Sequence, residues 1–195
     1  MDVTLQTRRL TLRQPRPEDA ARTARFLNNF AVSGNLSRVP YPYRQADAEA
    51  WLATWRPDGP PAETGFTLDL GGEGLIGHCG YHLDGDTPVV GYWLGEPFWN
   101  RGFMSETLAA VVAWYFEVTE AASIASGVFH FNKASLAIQK KLGFVETGSS
   151  TMHCLARKEE VRHIDTELMR AIWALRSERV EEKWPSGFPV RTRDH

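Results

Sequence analysis

Between residues 64 and 118 the apolar pattern changes its period, and that switch limits the folds open to the chain. "TGFTLDL" (64–70), "EGLIGHCGYHL" (73–83) and "PVVGYWLG" (88–95) are β-rich runs separated by the turn signals "GG" and "DGDT", so they read as three antiparallel strands. From Ser105 the spacing becomes helical, with Leu108, Val111, Val112, Tyr115 and Phe116 recurring to about Val118. "ASIASGVFHF" (122–131) then reads as a buried strand, and "KASLAIQKKLGF" (133–144) as a short helix stopped by Gly143, which suits a left-handed C-terminal position. Before the switch, "RRLTLRQ" (8–14) alternates as a strand does, and residues 16–29 predict a helix with Pro17 near its start. A Pro- and Tyr-bearing loop leads to a second short helix near Asp47 to Trp55. After the switch, strands are predicted at 144–155 and about 161–170. Strands and helices mixed in this way define an α/β (α+β) class.

With 195 residues and 43% hydrophobic content, the chain can bury one full core. We expect one domain over residues 1–172 and a charged tail over 173–195, helical at first and then extended, with Trp173 or Trp184 available to a neighbouring chain. The 22 basic and 24 acidic residues are interspersed and leave a net charge of −2, which argues against a nucleic-acid partner. No apolar run approaches the ~20 residues needed to cross a bilayer, and "MDVTLQTRRLTLRQ" lacks the apolar centre of a signal peptide. Cys79 and Cys154 form no disulfide or zinc pattern, so a cytoplasmic, reducing setting is expected. His78 and His82 on one extended strand would stand ~13 Å apart, too far to share a zinc ion with Cys79, so no metal is expected.

The stretch "FWNRGFMSETLAAVV" (98–112) places Gly102 directly before the central helix. A strand, a Gly-bearing turn and a helix make an anion site, because the first N–H groups of the helix lack partners within it and the helix dipole adds positive potential. Many helices begin after Gly, so the turn alone does not decide between a ligand site and a plain helix start. A P-loop would need a Gly-Lys-Ser/Thr run and a Rossmann turn three spaced glycines; this turn has neither. Downstream, Asn132 stands where an N-cap would, and Ser135 lies in the first turn of the following helix, where it either donates a proton or serves as a helix-start residue.

Taken together, "TRRLTLRQPRPEDA", "GYWLGEPFWNRGFMSETL" and "NKASLAIQKKLGF", in this order, resemble the GCN5-related N-acetyltransferase superfamily (GNAT), and within it the ribosomal-protein N-terminal acetyltransferases. The resemblance covers about residues 5–172. It implies a mixed, mostly antiparallel sheet of about seven strands flanked by about four helices, and transfer of an acetyl group from acetyl-CoA to a primary amine by direct attack in a ternary complex. The acceptor is a protein N-terminus or a small-molecule amine. The alternative is a non-catalytic acyl-CoA-binding or sensor module of the same fold. The resemblance leaves monomer and homodimer both open.

By the same resemblance, Trp93 and Leu94 pair with the pantetheine arm of the cofactor. Asn100, Arg101, Gly102, Phe103, Met104 and Ser105 cradle its pyrophosphate, with Arg101 adding a phosphate contact. Asn132 contacts the arm, and Ser135 protonates the departing thiolate. Lys140 or Lys141 either meets the nucleotide phosphates or is solvated. Met104 departs from the Ala or Gly usual in the family, so a crowded cradle is expected, and Gln139 replaces the Tyr general acid of other branches. The base is not fixed: Glu96, His82, His130 and Glu146 are all candidates. Tyr41, Tyr43, Trp51 and Trp55 flank the first loop and are expected either in an acceptor wall or in the core.

Overall fold

The computed structural model describes residues 3–56, 59–181 and 190–192, with side chains described through residue 176. Its sheet is assembled from β1 (Val3–Gln6), β2 (Thr11–Arg13), β3 (Gly65–Asp69), β4 (Leu75–Asp84), β5 (Thr87–Leu94), β6 (Ser123–Phe129), β7 (Val145–Cys154), β8 (Glu159–Met169) and β9 (Val190–Thr192). The helices are α1 (Ala20–Leu27), α2 (Phe30–Ser33), α3 (Gln45–Leu52), α4 (Phe103–Val118), α5 (Lys133–Leu142) and α6 (Arg170–Glu181). Strand order is β7-β8-β6-β5-β4-β3-β2-β1-β9, and every neighbouring pair is antiparallel except β5 and β6. The mixed, mostly antiparallel sheet expected from the sequence is present, with two more strands and two more helices than expected.

The three strands before the period switch and the strand–helix pairs after it stand where the pattern puts them. The first strand does not. Thr7 N–H and Oγ both bond Leu10 O, at 2.9 and 3.2 Å, so residues 7–10 form a turn between β1 and β2 rather than part of one strand. Alternation alone cannot distinguish a strand from two strand ends joined by such a turn. The helix expected over 16–29 is divided: a 3₁₀ turn at Pro17–Asp19 leads into α1, and Asn29 caps the separate α2 by accepting from the Ala31 N–H. The tail helix begins at Arg170, and Trp173 is buried in this chain's own core, so it is not available to a neighbour. Trp184 lies outside the described residues.

Helices cover both faces of the sheet. On one face, His78 of β4 is enclosed by Trp51 of α3, at 4.9 Å between ring centres, and by Trp55, at 5.0 Å. Burial pushes the His78 imidazole down to about 3, so it is a neutral core residue. On the other face, Tyr81 donates to Val111 O of α4 at 3.3 Å and stacks on Tyr115. The carbonyls at and just beyond the C-terminus of α4 are gathered by one guanidinium. Arg170 bonds Phe116 O, Thr119 O and Ala121 O at 2.6, 2.6 and 2.8 Å, supplying donors where the helix has run out of its own.

An ion pair joins the turn that starts α1 to the sheet. Arg13 holds both carboxylate oxygens of Asp19 at 2.8 and 2.9 Å and reaches Asp69 at 3.0 Å, while Thr67 donates to Asp19 at 3.0 Å. Burial alone would raise the Asp19 carboxyl, but these hydrogen bonds and the guanidinium charge outweigh it and hold it below 3.8. A depressed folded-state value means that the stabilisation is complete above 3.8 and is lost as pH falls from there through the folded value. Asp19→Asn is expected to cost about 3 kcal/mol at neutral pH, because it leaves Arg13 underpaired in the interior. In urea unfolding, the gap between wild type and variant should narrow as pH is lowered from 7 to about 3.

Candidate active site

The single parallel contact in the sheet is also its shortest ladder. Between β5 and β6 the register holds only Val89 against Ala125. Beyond that point the strands diverge, and a cavity of about 1120 Å³ opens between them. Its start is pinned by side chains in place of backbone: Ser126 Oγ donates to Val90 O at 2.9 Å, Gln139 Nε2 donates to Ser126 Oγ at 2.9 Å, and Thr166 Oγ donates to Gln139 Oε1 at 2.9 Å. Gln139, at the position of the other branches' acid, is thus fully buried and committed to this pin.

Backbone direction follows from the ladder. Gly95 N–H bonds Ile76 O at 2.9 Å, and hydrogen-bonded pairs recur every second residue in an antiparallel ladder, so Trp93 and Gly91 also turn their peptide groups toward β4. The groups that face the cleft therefore belong to Val90, Tyr92 and Leu94. The Leu94 carbonyl is taken by Trp99 Nε1 at 2.7 Å. Trp93, expected to offer its backbone, lines the cavity but turns its peptide groups toward β4.

The turn that follows enters α4 through two left-handed residues, Asn100 (φ 58°) and Gly102 (φ 76°). The first helical hydrogen bond is Glu106 N–H to Gly102 O, 3.1 Å, so the N–H groups of Phe103, Met104 and Ser105 precede the ladder. The turn is held from behind by the loop between β1 and β2. Glu106 accepts from Thr7 Oγ at 2.6 Å, Arg9 N–H at 2.8 Å and Arg9 Nε at 2.7 Å, while Arg9 Nη1 bonds Arg101 O at 2.8 Å. Burial raises the Glu106 carboxyl, but these donors more than offset it and the net shift is downward.

Nine of the ten residues named from the sequence for the cofactor and the acid line this one cavity: Trp93, Leu94, Asn100, Gly102, Phe103, Met104, Ser105, Asn132 and Ser135. Arg101 does not line it; its guanidinium lies over Phe103, 4.9 Å from the ring centre, at the rim. Met104 is 5% exposed and packs in the core. Asn132 caps α5 by accepting the Ser135 N–H at 3.1 Å. Ser135 Oγ lies 2.7 Å from Tyr92 Oη, a partner absent from the sequence reading. Burial pushes the Tyr92 phenol up to about 12 against the opposing effect of Ser135 and Gln139, so it stays protonated at neutral pH.

Of the four candidate bases, His82 lines the cavity. Glu96 is bonded to Asn29 Nδ2, His130 is exposed beside Arg162 O, and Glu146 is paired with Lys140 at 2.6 Å on the outside. That pair also places Lys140 away from the cavity, which Lys141 does not line either. Tyr41, Tyr43, Trp51 and Trp55 do not line it. The far wall comes instead from Val32 and residues 35–38 after α2, and from Ser150, Met152, His163 and Asp165 on β7 and β8. The β7–β8 turn clasps the segment after α2: Arg157 Nε bonds Gly34 O at 2.7 Å and Leu155 N–H bonds Ser37 O at 3.1 Å. Among the described residues there is no group of three His, Cys, Asp or Glu able to hold a metal ion, and no helix is long and apolar enough to cross a membrane.

The sheet thus opens at its one parallel contact, with the start of α4 beside the opening. The chain belongs to the acetyltransferase (GNAT) domain family, whose model matches residues 9–145. Among solved structures it is similar to the ribosomal-protein-S5-alanine acetyltransferase from Vibrio fischeri, with 18% identity, TM-score 0.73, and coverage of 88% of this chain and 99% of that one. It is similar also to Mycobacterium smegmatis RimJ in complex with CoA-disulfide, with 18% identity, TM-score 0.72, and coverage of 88% and 91%. A third is the microcin C7 self-immunity acetyltransferase MccE in complex with acetyl-CoA and AMP, with 15% identity, TM-score 0.72, and coverage of 83% and 93%. At these identities the likeness is one of fold. No curated protein gives a significant sequence match.

The turn itself offers a direct check. A Cβ-branched residue at position 102 would have to adopt φ 76°, so Gly102→Val is expected to lower stability by about 1–2 kcal/mol, read as a lower urea midpoint at unchanged slope.

Proposed function

We propose that this chain transfers an acetyl group from acetyl-CoA to a primary amine, on a protein N-terminus or a small molecule. The observation that carries the reading is the continuity of one cavity from the uncommitted N–H groups at the start of α4, along the open edge of β5, to the Ser135–Tyr92 hydrogen bond. The residues present suit the cofactor. A Cβ at Gly91 would meet nothing within 4 Å, so the cleft wall beside Tyr92 is open, and the orphan N–H groups of Phe103 to Ser105 suit a pyrophosphate. Tyr92 and Leu94 peptide groups would hold the pantetheine arm, and Asn132 would flank it. When bound, acetyl-CoA supplies the activated acetyl group as a thioester.

The protein's own part is positioning and proton supply. The turn fixes one end of the cosubstrate through backbone that Glu106 and Arg9 keep rigid. Ser135 is the group that hands a proton to the leaving sulfur, and Tyr92, protonated and 2.7 Å behind it, replenishes that proton. The wall from β7, β8 and the segment after α2 receives the amine. The neighbours solved with CoA-disulfide and with acetyl-CoA and AMP lend support through shared fold. A cytoplasmic setting fits such a cosubstrate.

Titration calorimetry with acetyl-CoA, followed by thiol release over a panel of an Ala-initiated hexapeptide, a Ser-initiated hexapeptide, spermidine and kanamycin, tests the reading. Binding with thiol release on one of these amines is expected. Binding without release on any would favour a sensor, and no binding would remove the cofactor. Ser135→Ala and Tyr92→Phe should each lower kcat, the former by about 100-fold, while the acetyl-CoA Kd stays within about two-fold.

A further inference from the structure

We infer that His163, oriented by Asp165, is the base that removes the proton from the attacking amine; this rests on the transfer reading above. None of the candidates drawn from the sequence includes it. His163 Nδ1 lies 2.8 Å from Asp165 Oδ1. A carboxylate only accepts, so Nδ1 carries the hydrogen and the lone pair is on Nε2. Asp165 is in turn fixed by Ser150, whose Oγ donates to the same oxygen at 2.8 Å. Phe129 packs edge-on against the imidazole, with ring centres 6.0 Å apart. The side chain is 16% exposed and lines the cavity.

The far side of the ring is directed at the cleft. A Cβ on Gly127 would overlap His163 Cε1 and lie 2.8 Å from Nε2, so the absence of a side chain at 127 is what lets the imidazole lie over that strand. His130 N–H bonds Arg162 O at 3.0 Å, and the two-residue alternation from that bond turns the Gly127 peptide groups toward β5, into the opening. Across it stands Gly91, where a Cβ meets open space.

Side-chain alternation separates this pair from the acid. Ser126 and Thr166 face α5, where Gln139 bonds both, so Gly127, His163 and Asp165 face the opposite side of the sheet. Tyr92 and Ser135 lie on the α5 side. Base and acid thus flank the opening from opposite faces. His82, the other imidazole in the cavity, is pushed down by burial and by Arg38, against the opposing charge of Asp84.

The step balances without any further reagent. The amine nitrogen forms the C–N bond with its lone pair, and the C–S bond breaks with its electron pair going to sulfur. The proton leaving nitrogen goes to His163 Nε2, Ser135 delivers one to sulfur and is resupplied by Tyr92, and solvent restores His163 and Tyr92. Asp165 acts through its bond to the ring and is a positioning residue.

The test uses the intact chain, acetyl-CoA and the panel amine that wild type acetylates. His163→Gln should lower kcat by about 100-fold with acetyl-CoA affinity within about two-fold. Asp165→Asn should cost about ten-fold alone and nothing further in the H163Q background, since it acts through the ring. Independently of turnover, imidazole ¹⁵N spectra of the free protein should show His163 protonated at Nδ1 and bare at Nε2, a preference lost in D165N. H163Q turning over within about three-fold of wild type, additive losses in the double variant, or an Nε2-protonated ring in wild type would each overturn the assignment while leaving acetyl transfer intact. Failure of wild type to release thiol with any panel amine would instead remove the transfer reading and the base with it.

Discussion

The site depends on a sheet that is made to come apart at one place. A strand pair that loses its ladder leaves peptide groups without partners, and in a protein interior those groups must be satisfied by something else. Here the substitution begins with a side chain: the Ser126 hydroxyl takes the Val90 carbonyl, and Gln139 and Thr166 hold that hydroxyl in place. Trp99 does the same for Leu94 at the other end of β5. Between the two lies Tyr92, whose peptide faces the opening and whose phenol reaches Ser135. The cavity is therefore bounded along β5 by two side-chain hydrogen bonds to carbonyls, and its useful length is the stretch of strand they leave between them.

Because strands present alternate residues to opposite faces, an opening in a sheet has two sides that cannot mix. Tyr92 and Ser135 are on the side of α4 and α5, and His163 and Asp165 on the side of α3. One-residue register shifts in β6 or β8 would exchange these sets, and the buried Ser126–Gln139–Thr166 chain opposes such a shift, since it exists only in the observed register. The same three residues that hold the opening at its root keep its two chemistries apart.

Much of this was legible in the sequence because it is local. The period switch located β3 to α4, Gly102 and Gly143 marked helix ends, and the ordered motifs identified the family and nine of the residues that line the cavity. What was not legible depends on pairing across distance. Nothing near Gln139 says that it is buried, because its partners are 13 and 27 positions away. His163 and Asp165 sit in "VRHIDTELM" with no marker; their role appears only when β8 is laid beside Gly127, where a missing side chain makes room for a ring. Trp51 and Trp55 were left open between pocket wall and core for the same reason, since the neighbour that settles their place in the core, the buried His78, is distant in sequence.

The clasp between the first loop and the helix start has a consequence for the order in which the protein is made. Arg9 and Glu106 are 97 positions apart, and Thr7 and Glu106 are 99. A nascent chain carries residues 7–10 for half its synthesis before their partner exists, and contacts of such separation form late because the intervening loop must first be closed. The turn that opens α4 thus acquires its rigidity only after the β3–β5 meander has brought both ends together. Its geometry is a certificate that the domain has closed, and a chain stalled or cut before that point has the glycine, the helix start and the motif without the shape.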